Sequence, residues 1–204
     1  VTLIDALPVI ADELDRSHEQ FAALDSVAGD GDLGITAQHI AGVLRSVHAR
    51  SAGLEAPDVL ENCALNIAEA APSSFGTLVS FALLAAAAEV RSCPQTAAGD
   101  AAIWQTGLRR ACEAVSQQGG ARAGQKTVLD AALPAVDALE PTLPLPQALA
   151  ASAAAAAEGA QQTAAMKASV GRAGWSAERS QGNVDAGAQL FAVAWAALAK
   201  AAAR

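Results

Sequence analysis

The chain has 204 residues, 52% of them hydrophobic but only 3% aromatic, and a formal net charge of −8. That length suits one compact domain, and the apolar fraction is largely alanine, which loses no side-chain entropy in a helix. An acidic chain lacks the basic face that nonspecific nucleic-acid binding needs, so any phosphorylated ligand must be met through a cation.

Helical spacing predicts a first helix over Leu3 to Leu24, with Leu7, Ile10, Leu14, Phe21 and Leu24 on one face. A polar, glycine-containing loop, Asp25 to Gly34, follows. Further helices are predicted over Thr36–His48 and Asp58–Ala70. Pro72-Ser73-Ser74 then breaks the pattern and supplies a cap for a helix carrying the apolar run Leu78–Val90. That run falls short of the roughly 20 residues a membrane helix needs, so no membrane association is expected. Pro94 to Gly99 reads as a break before a helix over Ala101–Gln118. Gly119-Gly120 ends that helix, and Gln125–Leu139 forms the next. Pro141, Pro144 and Pro146 mark a stiff connection to an alanine-rich helix over Leu149–Met166. Ser169 to Gly187 holds four glycines and little periodicity, and an apolar helix over Ala188–Ala203 closes the chain.

The expectation is an all-α single domain of about eight helices over residues 1–204, without strands. Four polar loops, near 25–36, 72–76, 119–128 and 171–187, alternate with other connections. If the helices run up and down, these four gather at one end, where helix N-termini offer free N–H groups to an anion. Cys63, Cys93 and Cys112 are odd in number and lack paired spacing, which reads as reduced thiols in a cytoplasmic protein.

The sharpest local feature is Leu24-Asp25-Ser26-Val27-Ala28-Gly29-Asp30-Gly31-Asp32-Leu33-Gly34. Three carboxylates lie close together, and glycines let the backbone turn between them. Crowded carboxylates call for a hard divalent cation. The spacing is not that of an EF-hand, whose sixth and twelfth positions here hold Asp30 and Thr36. A magnesium site shared with a substrate's phosphates suits it better. The alternative is a solvated loop in which Asp30 or Asp32 caps a helix. No P-loop occurs, so nucleotide binding would need another geometry.

These residues resemble the nucleotide-binding L subunit of dihydroxyacetone kinase. The aspartate stretch matches that family's Leu-Asp-x-x-x-Gly-Asp-Gly-Asp-x-Gly. Gly171-Arg172-Ala173, Glu178-Arg179-Ser180 and Asp185-Ala186-Gly187-Ala188 follow its C-terminal pattern. Gly124-Gln125-Lys126-Thr127-Val128-Leu129-Asp130 stands where the family has Gly-Asp-Lys-Thr-Met-x-Asp. The matches keep the family's order and span nearly the whole chain.

The resemblance implies an eight-helix barrel with a pocket at one end. Two magnesium ions held by Asp25, Asp30 and Asp32 would bridge to ADP or ATP. Leu33, Gly34, Ile35, Thr36, Ser73 and Ser74 would reach the phosphates, and Gly119 and Val128 the adenosine. Arg172, Asp185, Ala186 and Gly187 would complete the pocket. It further implies a K subunit that holds dihydroxyacetone, with phosphate drawn from ATP or from bound ADP recharged by a phosphotransferase-system M subunit. A free-standing chain of this length resembles the multi-subunit arrangement more than the fused one, and a homodimer is compatible with it.

Several positions depart from the family pattern: Leu33 replaces a histidine, and Ala71-Pro72 and Phe75 replace glycines. Gln125 replaces an aspartate, Asn183 a histidine and Ala186 a proline. Phe75 is expected to narrow the pocket. A regulatory nucleotide-binding module, or a kinase component with another acceptor, are the competing readings. Trp175 would either cover the nucleotide or pack against the bundle. Lys126 reads as a solvated lysine at a helix start, His39 as a half-exposed helix residue, and Trp104 and Trp195 as core.

Overall fold

The structure, a computed structural model, describes residues 3–93 and 101–204. Among these residues there is no strand. Eight long helices run in order: α1 (Leu3–Ala28), α2 (Leu33–Arg50), α3 (Ala56–Ala70), α4 (Ser74–Ser92), α5 (Ala101–Gly119), α6 (Leu129–Ala138), α7 (Leu145–Gln162) and α10 (Ala186–Ala202). Two short helices, α8 (Gly171–Trp175) and α9 (Ala177–Ser180), lie between the last two. The predicted break at Pro94–Gly99 lies outside the described residues.

Each long helix packs on the next, from α1 to α7, and α10 contacts both α7 and α1. The eight therefore close into a ring. Small side chains make this possible: Ala11, Ala37, Ala41, Ala131, Ala135, Ala156 and Ala160 are fully buried where helices meet. Two apolar clusters fill the ring. One joins α5, α6, α7 and α10 around Leu129, Val136 and Leu149. The other joins α1, α2 and α3 around Leu14, Phe21, Ile40 and Ile67.

Two prolines within helices have visible consequences. Pro8 has no N–H to give the carbonyl four residues back. That carbonyl, of Ile4, lies 3.0 Å from His48 Nδ1 on α2, so the imidazole stands in as donor. Pro134 likewise deprives the Asp130 carbonyl. Gly159 lets α7 approach there, since a Cβ at that position would lie 2.4 Å from Asp130 O. Farther along, Trp195 Nε1 donates to Ser152 Oγ (2.7 Å), which donates to Ala135 O (2.7 Å), so one polar chain ties α10, α7 and α6.

Several sequence expectations are corrected in detail. α1 runs four residues past Leu24, because nothing in Asp25-Ser26-Val27-Ala28 stops a helix before Gly29, and α2 begins at Leu33 rather than Thr36. α6 starts at Leu129, not Gln125. The carboxylate of Asp130 folds back to accept the N–H groups of Gly124 and Thr127, holding 124–128 as a turn. α4 is 19 residues long, and by length and composition it could cross a membrane, contrary to the sequence estimate. Its position is that of a ring member, between α3 and α5.

Candidate functional site

The connections α1–α2, α3–α4, α5–α6 and α7–α10 alternate around the ring, so they share one end. A pocket opens there, lined from all four. The first supplies Asp25, Gly29, Asp32 and Leu33, and the second Ser74, Phe75 and Leu78. The third contributes Gly119, Ala121, Lys126, Thr127 and Val128. Val170 to Ala173 and Asp185 to Gly187 complete the wall.

Asp25 sits in the last turn of α1, and Asp32 at the N-cap position of α2. The turn between them depends on glycine twice. Gly31 has φ +80°, and a Cβ on Gly29 would lie 2.2 Å from Asp25 Oδ1. The result brings one carboxylate oxygen each from Asp25, Asp30 and Asp32 within 4.8 Å of one another. Asp32 makes no side-chain capping bond, so the helix-cap alternative does not account for its carboxylate. Burial, and then the charge of Asp25, push the Asp32 carboxyl above its ordinary range. Arg172 answers part of this charge: Nη1 donates to Asp30 Oδ2, and Nη2 lies 3.4 Å from Asp32 Oδ1. The longer contact does not offset the two effects on Asp32.

The donor set is all oxygen and anionic, and besides the Arg172 pairing its contacts are slight, such as the 3.4 Å contact from Leu33 N to Asp25 Oδ2. That chemistry fits a hard divalent cation. Directly after Asp32, the first turn of α2 leaves the Gly34 and Ile35 N–H groups without an intrahelical acceptor.

The other expected residues divide into two groups. Ser74, Gly119, Val128, Arg172, Asp185, Ala186 and Gly187 line the pocket with Leu33. Gly34, Thr36 and Ser73 instead hold the frame. A Cβ on Gly34 would strike His18 O of α1 at 2.5 Å. Thr36 Oγ1 donates to Ser73 Oγ (3.0 Å), and Ser73 Oγ accepts the Gly76 N–H as the cap of α4. The Ile35 side chain is exposed.

Phe75 does line the pocket, with its ring edge 3.0 Å from where a Gly187 Cβ would stand. Asp185 caps α10, its Oδ2 accepting the Ala188 N–H at 2.8 Å. Burial pushes its carboxyl up to about 6, against the opposing pull of the Ala188 N–H and the Lys126 charge.

Lys126 is the clearest correction. It is buried, not solvated, and adopts φ +61°. Its ammonium donates to the carbonyls of Thr163 (2.6 Å), Met166 (3.3 Å) and Asn183, joining the α5–α6 turn to the chain on either side of α8 and α9. The Gly-Gln-Lys-Thr-Val-Leu-Asp match, whose family pattern also carries a lysine at this position, was the signal for it. Trp175 is 94% exposed, so it does not pack against the bundle. His39 is exposed, and Trp104 and Trp195 meet edge to face at 6.2 Å against the core.

Comparison with known proteins accords with this geometry. Residues 27–200 match the DAK2 domain, and the chain belongs to that family. It is 34% identical over 194 residues to the D-erythrulose kinase of Mycolicibacterium smegmatis, covering 92% of this chain and 33% of that protein. It is 27% identical over 187 residues to the ADP-binding subunit of PEP-dependent dihydroxyacetone kinase 1 of Listeria innocua, covering 92% and 89%. The dihydroxyacetone kinase of C. freundii, solved in complex with AMP-PNP and Mg2+, superposes with a TM-score of 0.76 at 26% identity, over 97% of this chain and 33% of that one. The chain thus spans about a third of the length of the kinases it matches first.

Proposed function

We propose that residues 1–204 form one nucleotide-binding domain of a dihydroxyacetone-type kinase, binding ADP or ATP with two magnesium ions and serving phosphoryl transfer to a keto-sugar held by a K-type partner. The convergence of Asp25, Asp30 and Asp32 at the mouth of a four-loop pocket carries this reading. The similarity to an ADP-binding subunit and to a kinase solved with AMP-PNP and Mg2+ supports it.

Asp25, Asp30 and Asp32 would hold the metal, which when bound supplies positive charge to the phosphates and allows an acidic protein to keep an anionic nucleotide. The first-turn amides of α2 and the Arg172 guanidinium would orient the phosphates. Leu78, Val115, Gly119 and Val128 form an apolar wall suited to the base, with the Leu78 side chain in van der Waals reach of Gly119. No side chain is asked to act as nucleophile, since the attacking hydroxyl belongs to the sugar on the partner. The phosphoryl donor is ATP or a phosphotransferase-system M-type protein. The three free cysteines accord with a reducing cytoplasm.

Phe75 against Gly187 gives the second reading its footing, namely a weakly catalytic regulatory module in which the narrowed pocket binds nucleotide without turnover. Phosphorylation of dihydroxyacetone and of erythrulose by this chain, with an added K-type subunit and ATP·Mg, separates the two. Magnesium-dependent product formation is expected. Nucleotide binding with no transfer to any keto-sugar tested would favour the module.

A further inference from the structure

Three carboxylates crowd the pocket mouth, and two cationic side chains line the same pocket. Lys126 is committed elsewhere, its ammonium buried among three backbone carbonyls. Arg172 alone of the two faces the cluster, with one nitrogen on Asp30 and the other towards Asp32. The element carrying it is slight. α8 has five residues, none buried, no side-chain cap at Val170, and a Gly171 at φ +64° at its start. A guanidinium and a divalent cation would compete for the same carboxylate oxygens.

We propose that Arg172 is the cluster's internal counter-ion, which a divalent cation must displace, and that its release frees the guanidinium for the phosphates. This rests on the metal reading above. The consequence is coupling: the metal pays to expel the arginine, and the nucleotide then gains a cation that the metal-free protein keeps engaged. The arginine therefore opposes metal binding in the absence of nucleotide and favours nucleotide binding once metal is present. A residue that merely supported the fold would weaken both.

The test is a Mn2+ titration of nucleotide-free protein followed by electron paramagnetic resonance, comparing wild type with R172Q, R172K and D30N/D32N. R172Q is expected to bind Mn2+ about two- to fivefold more tightly than wild type, the range that one exposed ion pair permits. R172K, which keeps the charge but cannot span two carboxylates, should fall between. With metal saturating, R172Q should bind ADP more weakly than wild type. Unchanged or weaker Mn2+ binding by R172Q, with D30N/D32N still abolishing it, overturns the counter-ion role and leaves the metal site standing. If wild type and R172Q both fail to bind Mn2+ at millimolar concentrations, the metal reading falls and this inference with it.

Discussion

Replacing Asp185 by asparagine should stabilise the nucleotide-free protein at alkaline pH. The side chain caps α10 through the Ala188 N–H, and an asparagine oxygen can keep that bond. What the substitution removes is a carboxylate that burial holds at about 6 instead of 3.8. Because the folded state binds this proton more tightly than the unfolded chain, the penalty is absent below the unfolded value. It grows between about pH 4 and 6 and is complete above that range. The full displacement is equivalent to about 3 kcal/mol. Asp185 is only partly shielded from solvent, which brings the expected gain to about 1–2 kcal/mol, or roughly 3–6 °C in Tm for a domain of this size. Urea unfolding of wild type and D185N from about pH 3.5 to pH 8 reads it directly. The two should converge at the acid end and separate as pH rises. A variant less stable than wild type at pH 8, or a difference that does not change with pH, would refute the reasoning.

Lys126→Met should cost about 3 kcal/mol, because the carbonyls of Thr163, Met166 and Asn183 lose a charged donor together; the shift in urea midpoint measures it. Gly159→Ala should cost about 2–3 kcal/mol, since its Cβ would meet the Asp130 backbone at 2.4 Å, whereas Gly42→Ala, with nothing within 4 Å on α2, should stabilise by about 0.5–1 kcal/mol. Paired thermal melts check both signs. Among the cysteines, burial pushes Cys63 and Cys112 up to about 12, so a disulfide reagent at neutral pH should label Cys93 first and the other two only on unfolding.

The helices and the place of the pocket were legible through different signals, while the closed barrel was implied only by the family resemblance. Helix existence was legible because alanine-rich stretches and helical spacing agree, and the eight long helices correspond to it. The gathering of four loops at one end followed from counting connections. Helix ends were less legible, because they depend on contacts far along the chain. Nothing local announces that Asp130 folds back on Gly124 and Thr127 and so delays α6. The burial of Lys126 is of the same kind, since its acceptors lie 37 to 57 positions away. α8 and α9 escape periodicity altogether, because five and four residues are too few to show a helical face. Proximity of Asp25, Asp30 and Asp32 was readable from glycine spacing, and Arg172 was placed at the pocket by resemblance. Its pairing with Asp30 and Asp32 was not readable, since they lie 142 and 140 positions away along the chain.

The most direct test of the account is calorimetric titration of ADP into protein stripped of copurifying nucleotide, with magnesium and then with EDTA, beside a D30N/D32N variant. Binding that requires magnesium, and that the folded variant loses, is the predicted result. ADP binding that persists in EDTA, or that the variant retains, would contradict the claim that the aspartate cluster holds the nucleotide through metal.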